Sequence, residues 1–208
     1  MADRPASKTG RWSAEKGPIA VVIAGPNGAG KSTAAPRLLK GTLRVAEFLN
    51  ADLIARGLSP FDPEGAALAA SGVMLERMQT LADRRISFGL ESTLATRSLA
   101  PRLRDLAARG YEFHLVFLFL ASADLAVARV ANRVRLGGHN VPEATIRRRY
   151  TAGLRNFFGL YQPIAASWRM FDNGQSDRMG LIASGCQGDT QRMVRKQLWK
   201  EIERKYRE

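Results

Sequence analysis

Along the chain, unbroken apolar runs alternate with stretches whose apolar positions recur every three or four residues, which predicts strands and helices in turn. Residues 18–24 form a continuous apolar run bounded by Gly17 and Gly25, the pattern of a strand buried on both faces of a parallel sheet. Residues 45–49 and 86–90 predict shorter strands. Residues 111–120 are rich in β-formers and give the strongest strand signal. Residues 168–171 predict a fifth strand and residues 179–183 a sixth. Helices are expected from Lys31 to a glycine stop at Gly41, from Pro63 to about Arg85, for about ten residues from Ser98, and over 123–136. A further helix opens at Pro142, after the Gly137-Gly138 break, and a last one near Thr190. The alternation predicts an α/β fold: a parallel sheet of about five strands with helices on both faces. In such sheets ligands gather beyond the carboxyl ends of the strands, so residues just after a strand are the first candidates for function.

The first such junction carries GPNGAGKST over residues 25–33, which fits the phosphate-loop pattern G-x-x-x-x-G-K-[ST] between a strand and a helix. Gly25, Asn27, Gly28, Ala29 and Gly30 are expected to turn backbone N–H groups around phosphate oxygens. Lys31 neutralises the β- and γ-phosphates, Ser32 supplies a hydroxyl ligand for Mg²⁺, and Thr33 completes the loop. The fold class therefore narrows to the P-loop NTPase type, with ATP or GTP and Mg²⁺ as cofactors. The strongest strand ends in Ala121-Ser122, not in an acid, and neither an LSGGQ-like nor an N-K-x-D segment is present. These features disfavour motor ATPases and switch GTPases and leave the small kinases.

Two acids follow strands. Asp52 is either the base that takes a proton from an attacking hydroxyl, or a holder of Mg²⁺ waters, or the N-cap of a short helix starting at Leu53. Glu91 ends the third strand in FGLEST (88–93), with Ser92 and Thr93 beside it as hydrogen-bonding groups or helix caps. Arg129 and Arg133 lie four apart on one helix face, with Val127, Val130 and Val134 at core spacing on another. Arg135 precedes the glycine break, and Arg147, Arg148 and Arg149 follow it. Two arginine-bearing helices joined by a glycine turn are expected to close as a lid on a phosphoryl group, two or three of the guanidiniums meeting phosphate and the rest lying on the surface.

Charge and cysteine content refine this picture. The net charge is +13, from 32 basic and 19 acidic residues. Residues 129–155 hold seven arginines against one acid, and residues 192–208 seven basic against three acidic side chains. Such excess attracts a polyanion, either nucleic acid or a nucleotide substrate, or else forms a solvated surface. The single cysteine, Cys186, leaves no internal disulfide, and no run approaches the length of a membrane span. A cytoplasmic setting with no membrane partner is expected. The two histidines, His114 in a strand and His139 in the break, lack the company of a zinc site. The chain divides into a flexible polar tail (1–17), a P-loop kinase domain (18–188, lid about 129–155) and a basic C-terminal helix (189–208).

Together, GPNGAGKST (25–33), NADLIARGLSPFDPE (50–64), FGLEST (88–93), RVRLGGHNVPEATIRRRY (133–150) and GLRN (153–156) resemble the zeta-toxin kinases, in particular their short stand-alone bacterial branch. The resemblance implies transfer of a γ-phosphate to the amino-sugar hydroxyl of UDP-N-acetylglucosamine, and a small antitoxin protein as partner. It places Asp52 as general base, Glu91 and Thr93 in the substrate segment, and Arg133 as a lid arginine on the γ-phosphate. A second lid arginine falls near His139, with Arg135 or Arg148 as its replacement, and an acidic substrate residue corresponds to Glu76 with the spacing shifted by one. These departures leave the acceptor open. A polynucleotide or nucleoside kinase is one alternative, and a non-catalytic nucleotide-binding module or partner-gated ATPase the other.

Overall fold

The computed structural model describes residues 17–138, 140–174 and 179–207, so almost all of the expected tail, and His139, lie outside the described residues. Strand β1 (Ile19–Ala24) is buried at every position. Ile19, Val21 and Ile23 meet Leu39, Leu43 and Val45 in one cluster, while Ala20, Val22 and Ala24 join the larger core. A strand covered on both sides has no polar face, which is why its sequence does not alternate.

Around it lie β2 (Glu47–Leu49), β3 (Phe88–Ser92), β4 (Glu112–Phe119), β5 (Ser167–Asp172), β6 (Gly180–Cys186) and β7 (Asp189–Met193). They form one sheet in the order β2-β3-β1-β4-β5-β6-β7. The first five are mutually parallel, as expected, and β6 and β7 add an antiparallel edge. The loop after β1 emerges between β3 and β4, at the carboxyl ends where such sheets bind ligands.

β7 corrects the expected final helix. Gln187 and Gly188 take left-handed φ values of 46° and 87° and fold the chain back along β6. The helix α7 (Lys196–Tyr206) therefore begins only at Lys196, not near Thr190. Segment DTQRM carries little apolar signal because it is an edge strand, held by backbone pairing to β6 with its side chains mostly exposed. α7 is not merely a basic surface helix: Trp199 stacks on Trp168 at 5.1 Å with 17° between the planes, and Ile202 and Tyr206 are buried with it.

The other helices follow the pattern with shifted ends. α1 (Lys31–Pro36) does not stop at Gly41 but continues with wider π-type turns over Arg37–Leu43, after Pro36, which has no N–H to donate. α2 (Ala51–Leu58) is short, and α3 (Ala67–Asp83) starts later than Pro63 because the Asp62 carboxylate accepts the Gly65 N–H and holds a turn there. α4 (Leu99–Ala108), α5 (Ala123–Arg135) and α6 (Glu143–Asn156) complete the set, α6 running into a π-type turn at Phe157–Tyr161. Of the α5 valines expected in the core, Val130 is buried, Val127 is partly covered, and Val134 is exposed. No helix among the described residues is long and apolar enough to cross a membrane.

Candidate active site

The phosphate loop leaves β1 at Gly25, whose φ is 142° and whose Cβ, were there one, would sit 2.4 Å from the Leu118 carbonyl oxygen. Only glycine lets the loop pass so close to β4. Gly30 stands at the N-cap of α1 with no side chain capping it, so the first turn keeps N–H groups for a ligand. Lys31 is buried; its ammonium donates to the Pro26 carbonyl at 3.0 Å and lies 3.7 Å from Glu91 Oε1. Burial pushes the Lys31 pKa down and the charge of Arg133 adds to that, while Glu91 and Asp52 pull it up.

Glu91 organises this end of the sheet. Its Oε2 accepts the Ser32 hydroxyl and the Asn50 side-chain amide, each at 2.8 Å. Asn50 in turn accepts the N–H groups of Asp52 and Leu53 at 2.9 and 3.1 Å, capping α2. With its carbonyl on the helix and its NH₂ on Glu91, the Asn50 amide has one sensible orientation. The reading of Asp52 as the N-cap is thus corrected: Asn50 caps, and Asp52 stands exposed in the first turn of α2.

Lys31, Asp52, Glu91, Ser92 and Thr93 line one cavity of about 460 Å³, together with Arg56, Glu64, Arg148 and Arg149. Buried Asn27 lines it too, and its side-chain carbonyl has no hydrogen-bond partner. A buried ammonium and the Ser32 hydroxyl, beside a helix start whose N–H groups no side chain caps, fit a Mg²⁺-bound nucleotide triphosphate.

The turn bearing Ser92 and Thr93 is held from several sides. Leu94 adopts a left-handed φ of 55°, its N–H bonded to Ser92 Oγ at 3.0 Å and its carbonyl to the Asn156 amide at 2.7 Å. Tyr161 donates to the Thr96 carbonyl at 2.7 Å. Gly153 of α6 approaches so closely that an added Cβ would meet the Thr93 carbonyl oxygen at 2.4 Å. Gly153→Ala is expected to push α6 from this turn and destabilise the protein by about 1–3 kcal/mol. Urea denaturation measures it, and an unchanged midpoint would show that the approach is not tight.

The arginines divide by task. Arg148 and Arg149 line the cavity. Arg133, half-buried on α5, is near enough to Lys31 for its charge to lower that pKa. Arg129 does not face the cavity: it donates to the backbone carbonyls of Gly28 at 3.4 Å and Gly174 at 2.9 Å. Arg147 pairs with Asp124 at 2.7 Å and Glu143 at 2.8 Å. Arg135 bonds Asn132 at 3.1 Å and Glu76 is exposed, and neither lines the cavity. The expected substrate roles of Glu76 and Arg135 are therefore not supported by their positions: α3 turns Glu76 to solvent, and Arg135 ends α5 beyond the cavity's lining. Asn50 and Arg56, within a motif whose individual roles beyond Asp52 carry no local mark, emerge only from the geometry. His114 is buried in β4, its Nδ1 2.9 Å from Ser167 Oγ, and burial together with Arg169 pushes its pKa down to about 4.

A family model described as an AAA domain matches residues 21–152. An uncharacterized protein of Haemophilus influenzae is 29% identical over 133 residues, covering 63% of this chain and 91% of its own length. Among solved structures, the AvrRxo1-ORF1:AvrRxo1-ORF2 complex with sulphate ions matches at a TM-score of 0.71 and 15% identity, over 89% of this chain and 63% of that one. The same complex with ATP matches at 0.69, also at 15% identity, over 90% and 64%. This chain thus spans under two thirds of the AvrRxo1 chain's length. The PezAT chromosomal toxin–antitoxin system of Streptococcus pneumoniae matches at a TM-score of 0.58 and 17% identity, over 92% of this chain and 87% of that one. At these identities the structural likenesses speak to a shared fold alone.

Proposed function

Because the chain belongs to the AAA-domain family, and a carboxylate, a buried lysine and the end of β3 line one cavity, we propose that it is a kinase moving the γ-phosphate of ATP or GTP to a hydroxyl of a small acceptor. The observation that carries this reading is Asp52 in the same cavity as Lys31, Glu91 and Thr93. At about 460 Å³ that cavity is within the range of small-molecule sites.

In this reading Asp52 takes the proton of the acceptor hydroxyl as its oxygen bonds to the γ-phosphorus. The bond from that phosphorus to the bridging oxygen breaks, and the nucleoside diphosphate leaves with the electron pair. Gly25, Asn27, Gly28, Ala29, Gly30 and Thr33 shape the cradle, and Lys31 balances the charge that spreads over the phosphoryl oxygens. Ser32 would hold a Mg²⁺ ion, which would add positive charge beside the β- and γ-phosphates. Glu91 orients Ser32 and Asn50. Arg133 and Arg148 serve as lid arginines, and Thr93 contacts the acceptor.

The preferred acceptor is a nucleotide sugar such as UDP-N-acetylglucosamine, as in the zeta-toxin kinases that the motifs resemble. A small antitoxin protein as partner is supported by the toxin–antitoxin assignment of the PezAT structure. The test is transfer of label from γ-labelled ATP to a panel of UDP-sugars and a 5′-hydroxyl oligonucleotide. Label on a UDP-sugar is the expected result. Label on the oligonucleotide alone moves the acceptor to nucleic acid, in keeping with the charge of +13, and label on nothing leaves a binding module.

A further inference from the structure

Beyond β5 the chain makes a tight turn against the phosphate loop. The Asn173 side-chain amide donates to the Ala29 carbonyl at 2.8 Å, while its own N–H is held by the Phe119 carbonyl at 3.0 Å. Asp172 holds the turn from both sides: Oδ1 accepts the Gly174 N–H at 2.8 Å, and Oδ2 pairs with Arg195 at the head of α7. Arg129 closes the circuit by bridging the Gly174 and Gly28 carbonyls. Two successive carbonyls of the phosphate loop are thus gripped from outside, by residues 101 and 144 positions away in the chain.

We propose that Asn173 is a positioning residue for nucleotide binding. A trans peptide is planar, and its C=O and N–H point in opposite directions. Fixing the Ala29 carbonyl on Asn173 therefore fixes the next N–H, that of Gly30, on the far side of the same plane. Gly30 is the N-cap of α1, so this N–H belongs to the group that a phosphate-loop cradle offers to its ligand. Asn173 touches no substrate atom in this scheme; it sets the angle of a donor. The Asp172–Arg195 pair carries the consequence that the β7–α7 segment, which has no part in the phosphate-loop motif, supports the nucleotide site.

The inference rests on the nucleotide-binding part of the proposed function, and ADP with Mg²⁺ separates the two because no acceptor is needed. Calorimetry of the full chain with ADP and Mg²⁺ gives both Kd and stoichiometry. If the unaltered protein takes up no ADP, the kinase reading itself fails. If it binds, Asn173→Ala is expected to weaken Kd about five- to tenfold, the effect of one misdirected hydrogen bond, with stoichiometry near one. A lower stoichiometry at unchanged Kd marks a loss of folded protein, and it overturns the inference, as does an unchanged Kd with full occupancy. Should Asn173→Ala not fold, Asn173→Asp keeps the shape, removes the donor and carries the same expectation. Loss of fold in both overturns the proposal, since the residue then holds the domain and does not aim the loop.

Discussion

Replacing Lys31 by methionine is expected to lower kcat/KM for phosphate transfer by at least about 10²–10³-fold, the scale of removing one preorganised charge or donor from a transition state. Methionine keeps most of the aliphatic stem, so the change isolates the ammonium. In the protein that group is buried, bonded to the Pro26 carbonyl and close to Glu91. Its pKa is pushed down by burial, so the fold holds the positive charge at a cost. Removing it leaves Glu91 with two donors, Ser32 and Asn50, and the thermal midpoint is expected to hold or rise. Steady-state transfer of label from γ-labelled ATP measures the rate, and differential scanning calorimetry the midpoint. Full turnover in the methionine variant would remove the phosphate loop from the chemistry.

Asp52→Asn is the second large effect, about 10²–10⁴-fold in kcat, the usual contribution of a positioned base. Asparagine is nearly isosteric and accepts hydrogen bonds but takes no proton. The helix start is expected to survive, because the cap of α2 is Asn50 and not Asp52. Nucleotide affinity should stay within about twofold, which marks the loss as chemical and not as binding. If kcat stays put while affinity falls, Asp52 belongs to the metal shell. If neither moves, it is a charged surface residue of a helix start.

The phosphate loop and Asp52 were legible in the sequence for different reasons. Gly25 through Thr33 is contiguous, and a glycine-rich turn opening a helix has its chemistry written in nine successive residues. Asp52 was found by its place after a strand, yet the sequence left three readings of it open. The structure closed the capping one by showing that the neighbouring Asn50 accepts both N–H groups. Glu91 was visible as an acid at a strand end, but its bonds to Ser32, 59 residues away, and to Asn50, 41 residues away, were not. Among the arginines the sequence was least informative. All of them carry the same charge, and helical spacing separates faces without saying what each face meets. Arg129 and Arg133 share a face, yet one serves backbone carbonyls and the other acts on Lys31.

What the residues alone settled is local: buried parallel strands, read from apolar runs, and one phosphate loop, read from a short motif between strand and helix. Such features depend on neighbours a few positions apart, so period and composition encode them. Only the tertiary structure decided that DTQRM pairs with β6 as an edge strand, that α7 joins the core through Trp199, and that Asn173 and Arg129 hold the loop from outside. Each of these rests on backbone pairing or on contacts between residues distant in the chain. Strand order creates those contacts, and a one-dimensional pattern of polar and apolar positions carries no record of them.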